Sequence, residues 1–307
     1  MYIVSVINYK GGVGKTTTTA NLAAELSWRG YNVLMIDLDP QASLTFSFIK
    51  PEEWKKHFSK IKTIKYWFDS FSNGSPSDLP DLIFSPNNVS TKLSGKGKLD
   101  LIPSHLGLIN VDLELATELG GATLKQSKKN FLKVHKRLSD GIQQIEDEEY
   151  DLILIDCPPN FNVVTKTAIV ASDNILIPAK PDYLSTLGID YLKRSLDQLI
   201  SDFNEYVDVE SDETDEEIDP KILGVVFTMI QIRSGKPISA LRPYIDQTKT
   251  LGIPVFDEYI RENKTIFSDA PQYGVPVVLN NYSAGTYADV VKEIEKFVTE
   301  FISKSGI

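Results

Sequence analysis

Apolar and polar positions follow two alternating rhythms along the chain. Short, nearly continuous apolar runs at Tyr2–Asn8, Asn32–Asp39, Leu99–Pro103, Tyr150–Asp156, Asn174–Pro178 and Ile222–Met229 read as strands buried on both faces. Between them, a 3.6-residue period predicts helices at Lys15–Arg29, Leu124–Ile145, Thr186–Phe203, Ile238–Leu251 and Ala284–Ser303, the first stopped by Gly30. Two further runs, Ile253–Phe256 and Val275–Leu279, are expected at the sheet edge. Strands alternating with helices predict an α/β fold, a mostly parallel twisted sheet with helices on both faces. Ligands in such sheets bind beyond the carboxyl ends of the strands.

Two stretches break the rhythm. Residues 46–98 carry the aromatics Trp54, Phe58, Tyr66, Trp67 and Phe71, then a Ser/Pro/Asn/Gly-rich tail, and read as a helical insertion followed by a loop. Residues 205–219 hold nine acidic residues and no Lys or Arg, and read as a solvated acidic loop. Neither resembles a boundary, so residues 1–307 are expected to form one domain.

Charge then changes meaning. The formal net charge is −10, but outside the acidic segment 33 acidic residues face 32 basic ones. A local basic surface is therefore compatible with the composition. The single cysteine, Cys157, excludes a disulfide framework, a Cys-rich zinc site and a Cys-ligated iron–sulfur cluster within one chain; the lack of a Cys-x-x-Cys disfavours a metal-cluster scaffold, and Cys157 is expected to be a small packed residue. No apolar run reaches the ~18–20 residues that span a bilayer. No basic leader precedes an apolar core at the N-terminus, so a cytoplasmic protein is expected.

The strongest chemical signal is Gly11-Gly12-Val13-Gly14-Lys15-Thr16-Thr17, set between the first strand and the first helix. That is the context a phosphate-binding loop requires. The glycines let successive N–H groups turn toward phosphate oxygens, and the helix adds its positive end. Lys15 would reach the β- and γ-phosphates, and the Thr16 hydroxyl would ligate Mg²⁺. With Gly14 as the second glycine of a general P-loop, the first would fall at Tyr9, so the loop departs from that pattern and carries an additional lysine, Lys10.

KGGVGKTT at 10–17, DLDPQ at 37–41 and ILIDCPP at 153–159 resemble the ParA/MinD group of deviant Walker ATPases, and most of all its ParA and Soj partition ATPases. FTMIQIRS at 227–234, IREN at 260–263 and SDAPQYGVPV at 268–277 extend the resemblance through nearly the whole chain. The resemblance implies a P-loop NTPase fold, with ATP and Mg²⁺ as ligands. It implies that Lys10 crosses to the phosphates of a second copy in an ATP-dependent homodimer. Asp39 would position or activate the attacking water. Asp37 would hold Mg²⁺ through water or support a switch, and Asp156 would act on the Mg²⁺ water shell. Strand-end aspartates also serve simply as helix caps. Pro158 and Pro159 would stiffen a switch turn. Thr228 and Met229, with the backbone of Arg261, Glu262 and Asn263, would enclose the adenine.

The same resemblance implies non-specific binding to double-stranded DNA and stimulation by a ParB-like partner. Arg233, Lys236, Arg242 and Lys264, with Arg261 nearby, are the candidate DNA contacts; binding through them would be salt-sensitive. The lysines of Lys125–Arg137 read as a solvated helix face, with Leu124, Phe131, Val134 and Leu138 marking the buried side. The last helix carries an apolar stripe, but its polar face mixes acidic and basic residues, which favours docking on the domain over a membrane. The alternative functions are a MinD-like membrane-surface ATPase and an ATPase that positions a protein cargo.

Overall fold

The computed structural model describes residues 1–210, 216–233, 236–280, 282 and 285–307, excluding the side chains of residues 209, 210 and 269–271. The strands are β1 (Tyr2–Val6), β2 (Asn32–Asp37), β3 (Lys98–Ile102), β4 (Leu152–Asp156), β5 (Asn174–Ala179), β6 (Lys221–Ile230), β7 (Ile232–Arg233), β8 (Lys236–Pro237) and β9 (Val255–Arg261). Seven form one sheet in the order β3-β2-β4-β1-β5-β6-β9, and every neighbouring pair runs parallel. The β7–β8 pair is a separate antiparallel hairpin.

The helices are α1 (Lys15–Trp28), α2 (Ser43–Phe46), α3 (Pro51–His57), α4 (Ile64–Ser72), α5 (Asn87–Leu93), α6 (Leu108–Glu118), α7 (Leu124–Ile142), α8 (Val163–Val170), α9 (Tyr183–Glu210), α10 (Arg242–Thr250), α11 (Lys264–Tyr273) and α12 (Thr286–Ser305). Strand alternation sends Ile153, Ile155, Ile175 and Ile177 into a core shared with α4, α6, α7, α8 and α9. Leu152, Leu154, Leu176 and Val226 enter a second core with α1, α5 and α12. The two layers are what an all-parallel sheet requires, since both its faces are apolar.

Several expectations change. Val277–Leu279 forms a 3₁₀ turn rather than a strand, and the edge strand is β9, which starts at Val255. The 46–98 stretch is not a helix trailing into a loop. Its tail holds α5 and a 3₁₀ turn at Leu79–Leu82, and Phe84 forms an antiparallel bridge to Leu101 on β3. Trp54, Phe58, Trp67 and Phe68 are buried, because aromatic area is worth burying wherever a sheet edge offers a partner. The acidic segment is not wholly loop: α9 continues to Glu210, and Lys128 on α7 pairs with Glu205 at 3.0 Å. Residues 211–215 of that segment lie outside the described residues. On α7, Leu124 is exposed rather than buried, whereas Arg137 is buried against Glu118 at 2.6 Å. A buried guanidinium survives there because the carboxylate accepts from both of its terminal nitrogens.

The stripe of α12 is spent internally: Val290, Ile294, Phe297, Val298 and Phe301 are buried. Among the described residues, no helix is long and apolar enough to cross a membrane.

Candidate functional site

The loop after β1 is anchored from below. Asn8 donates from Nδ2 to the Pro178 carbonyl and accepts at Oδ1 from the Lys10 amide, both at 2.8 Å. Gly12 and Gly14 hold φ of 67° and 83°, a region open to glycine and strained for other residues. Gly14 precedes α1 without a side-chain cap, so the first N–H groups of the helix remain available to an anion. From the opposite side, Thr228 at the end of β6 donates to the Val13 carbonyl at 2.7 Å. The ends of β5 and β6 thus both fix the loop, the second across 215 residues of chain.

Lys15 is 7% exposed, and its ammonium reaches back to the carbonyls of Asn8 and Lys10 at 3.3 and 3.5 Å. Burial lowers its pKa, while Asp156 and Asp39 pull it back up. Thr16 donates to Asp156 Oδ2 at 2.8 Å, and Thr19 reaches the other oxygen at 3.4 Å. Asp156 and Asp37 sit in register on adjacent strands. Both are fully buried, and burial raises both pKa values; for Asp37 the neighbouring Asp156 charge adds to the rise. Two buried carboxylates side by side, one bonded to a hydroxyl at the mouth of an anion-binding loop, suit a hard divalent cation that would cancel their charge. Thr16 and Asp156 fit Mg²⁺ on this chemistry.

Asp37 is bonded into the chain beyond its own strand. Its Oδ2 accepts from the Thr45 amide and hydroxyl at 2.8 and 2.7 Å, and Oδ1 accepts from the Asp39 amide at 3.1 Å. These bonds brace the turn that follows β2. Thr45 also accepts from the Ser104 amide at 2.7 Å, and Ser104 donates to the Asp39 carbonyl at 2.8 Å. Within the turn, Ala42 adopts φ 52°, a left-handed backbone for a residue with a Cβ. Asp39 is 9% exposed, and its Oδ1 accepts from the Gln41 amide at 2.8 Å. Burial raises its pKa, against the pull of Gln41 and Lys15.

Lys10 is not a free loop lysine. Its ammonium donates to both oxygens of Asp182 at 2.8 and 2.7 Å, and to Ser185 at 3.5 Å. Partial burial disfavours the Asp182 charge, but Lys10 and the Ser185 amide outweigh it and hold the pKa low. Asp182 escaped the sequence reading because it lies 172 residues away and in no recognisable motif. Past it, Tyr183, Leu184, Leu187 and Tyr191 expose an apolar stripe on α9. Cys157 is buried as expected; burial and then Asp156 push its thiol pKa up, so it is inert.

A cavity of about 260 Å³ adjoins Gly14 and Thr17. Thr228, Met229, Arg261, Glu262, Asn263 and Lys264 all contribute to its wall. Met229 bends at φ 54° where the β6–β9 register shifts. Arg261 is committed elsewhere: it bonds Glu293 on α12 at 2.7–3.0 Å, with Asp289 at 3.6 Å. It is therefore a wall of the cavity and not an available surface cation. Lys264 is 90% exposed at the cavity rim. Arg233, Lys236 and Arg242 are exposed on the β7–β8 hairpin and at the start of α10. Arg233 and Lys236 face each other across the hairpin, a like-charge pairing that costs stability.

Comparison with known proteins gives the following. A family model described as an AAA domain matches residues 1–209. The Soj protein of Bacillus subtilis, a sporulation initiation inhibitor, is 27% identical over 295 residues, covering 95% of this chain and 97% of that one. The chromosome partitioning protein ParA of Caulobacter vibrioides is 29% identical over 278 residues, covering 90% of this chain and 86% of that one. Among solved structures, the ATP complex of a Cyanothece McdA variant superposes with a TM-score of 0.69 at 21% identity, covering 100% of this chain and 97% of that one. A Borrelia burgdorferi plasmid partition protein bound to AMPPNP gives 0.63 at 22% identity, covering 99% of each chain. These structural likenesses establish the fold.

Proposed function

The chain belongs to the AAA domain family as a P-loop ATPase of the ParA and Soj type, and on that premise we propose that it is a Mg²⁺-dependent partitioning ATPase whose ATP-bound homodimer holds double-stranded DNA without sequence preference. The convergence of Lys15, Thr16, Asp156, Asp39 and Lys10 on one loop carries the reading. The loop amides and Lys15 bind the phosphates. Thr16 would hold Mg²⁺ with Asp156 on its water shell, and the ion would supply charge neutralisation to the phosphates. Asp39 keeps Oδ2 free of hydrogen bonds among the described residues, so it can orient water toward the γ-phosphate. The cavity wall at Met229 and Arg261–Asn263 takes the adenine.

In the proposed cycle, Lys10 leaves Asp182 and reaches the phosphates of a second copy. The exposed α9 stripe beside it becomes covered in the dimer. Two sets of Arg233, Lys236, Arg242 and Lys264 then form one DNA surface. Hydrolysis removes the γ-phosphate, the dimer loosens and DNA is released. A ParB-like partner stimulates that step, and a plasmid, chromosome or other cargo moves over the nucleoid in the cytoplasm. The whole chain, 1–307, acts as one unit. The buried stripe of α12 speaks against a membrane role.

The test is binding to a random-sequence duplex with ATP–Mg²⁺, with ADP–Mg²⁺ and without nucleotide, at low and moderate salt, for the native chain and Lys15→Ala. Binding with ATP alone, lost in the variant and weakened by salt, supports the reading. No DNA binding despite intact ATP binding overturns it in favour of another surface or cargo.

A further inference from the structure

Lys180 stands one residue beyond β5. On that strand Ile175, Ile177 and Ala179 enter the core shared with α7 and α9, and Leu176 enters the core shared with α1 and α12. The alternation puts residue 180 on the α1 side, where it lines the cavity beside Gly14 and Thr17. It is half-buried, and its ammonium has no hydrogen-bond or ion-pair partner among the described residues. The other cations of the cavity are engaged or outside: Arg261 is tied to Glu293, and Lys264 is at the solvent-exposed rim, 3.9 Å from Glu262.

A second group in the same wall is unsatisfied. Thr18 is 1% exposed, and its hydroxyl has no partner. Threonines within helices normally bond back to the carbonyl four residues earlier, as Thr19 does to Lys15 at 3.1 Å. Thr18 does not, although its amide bonds Gly14 at 2.8 Å. Leaving such a hydroxyl dry and unpaired costs stability unless a ligand completes it. Lys180 and Thr18 line the same cavity as Gly14 and Thr17 and as the apolar Met229, Ile260 and Phe267.

We propose that Lys180 and Thr18 form a subsite for the α-phosphate–ribose segment of the bound nucleotide, Lys180 against the phosphate oxyanion and Thr18 against the sugar. This rests on the nucleotide-binding reading above and adds to it a cation supplied by the same copy, distinct from Lys10. Lys180 is thereby a positioning residue for the nucleotide.

Competition against a fluorescent ADP analogue tests it, with ADP, AMP and adenosine as competitors and Lys180→Met, Lys180→Arg and Thr18→Val as variants. Lys180→Met weakens ADP and AMP by a common factor of roughly ten, leaves adenosine within twofold, and flattens the salt dependence of ADP binding. Lys180→Arg recovers most of the loss. Thr18→Val weakens all three ligands by about threefold. Thermal melting without nucleotide confirms that each variant folds. Native-like ADP affinity in Lys180→Met overturns the proposal, as does a defect confined to ATP-dependent self-association, which would assign Lys180 to the contact between copies. A native chain that binds no adenine nucleotide overturns the functional reading itself, and is thereby told apart from failure of the subsite.

Discussion

The phosphate loop and the β7–β8 hairpin use positive charge in opposite ways. Within the loop itself, both lysines are held: Lys10 by Asp182, Lys15 by two carbonyls. The acids and hydroxyls beside them are bonded in a chain from Thr16 through Asp156 to Thr19, and from Asp37 to Thr45 and Ser104. On the hairpin, Arg233 and Lys236 face each other in the open, with Arg242 exposed nearby. Buried, interlocked charge fixes geometry and makes substitutions costly and non-additive. Exposed charge is screened, cheap to remove and close to additive.

The sharpest way to break this contrast is Lys15→Ala, expected to weaken ATP by at least about 100-fold, since it leaves phosphates and buried carboxylates unpaired. Calorimetric titration checks it; an affinity within tenfold of native would mean the loop is not the interlocked half. Asp39→Ala should cut hydrolysis by about 100-fold or more while ATP affinity stays within a few-fold. Phosphate release and equilibrium binding, measured together, separate the two effects.

Asp156→Asn sharpens the contrast through stability. Burial raises the Asp156 pKa in the folded chain, so without nucleotide the native state retains a proton that the unfolded chain releases. Stability from this group is present below the usual carboxylate range and is lost as pH rises through the folded value. The variant should therefore melt higher than the native chain at pH 8 without nucleotide, converge with it near pH 4, and lose Mg²⁺-dependent stabilisation by ATP. Differential scanning fluorimetry across pH reads all three. Ala42→Gly should stabilise by roughly 1 kcal/mol, because glycine adopts the left-handed backbone without strain; chemical denaturation measures it. The smallest effect belongs to the hairpin. Arg233→Ala should weaken DNA binding about threefold, reduce the salt slope by about one and leave ATP affinity alone.

The two halves also differed in how legible they were. The loop was readable because its chemistry is local: glycines, Lys15 and Thr16 are contiguous, and the strand before and helix after them show clear periods. Asp182 and Lys180 were not, since they follow a strand far along the chain from the loop they meet; Thr18 was not, since no sequence pattern marks its hydroxyl as unpaired. The bonds from Asp37 to Thr45 were equally hidden, because the two residues lie in different elements joined by an irregular turn. Helix α8, buried nearly all round, shows no amphipathic period to read. Val277–Leu279 misled because a short apolar run fits a buried strand and a buried turn equally. On α7, Leu124 belongs to the right period but lies in the first turn, which extends beyond the body it packs on.

The bridge between Phe84 and Leu101 has a consequence for how the chain behaves in crowded solution. Phe84 and Leu101 exchange both backbone hydrogen bonds, at 3.0 and 2.9 Å, at the outermost strand of the sheet. A parallel sheet that ended openly at β3 would offer a row of unpaired donors and acceptors to any passing strand, a template for aggregation. Here the chain occupies part of that row with its own antiparallel segment, packs Phe58 edge-on against Phe84, and covers the strand with α5. The insertion that interrupts the sequence rhythm thus acts as an edge guard, which keeps a sheet of seven strands from growing an eighth out of its neighbour.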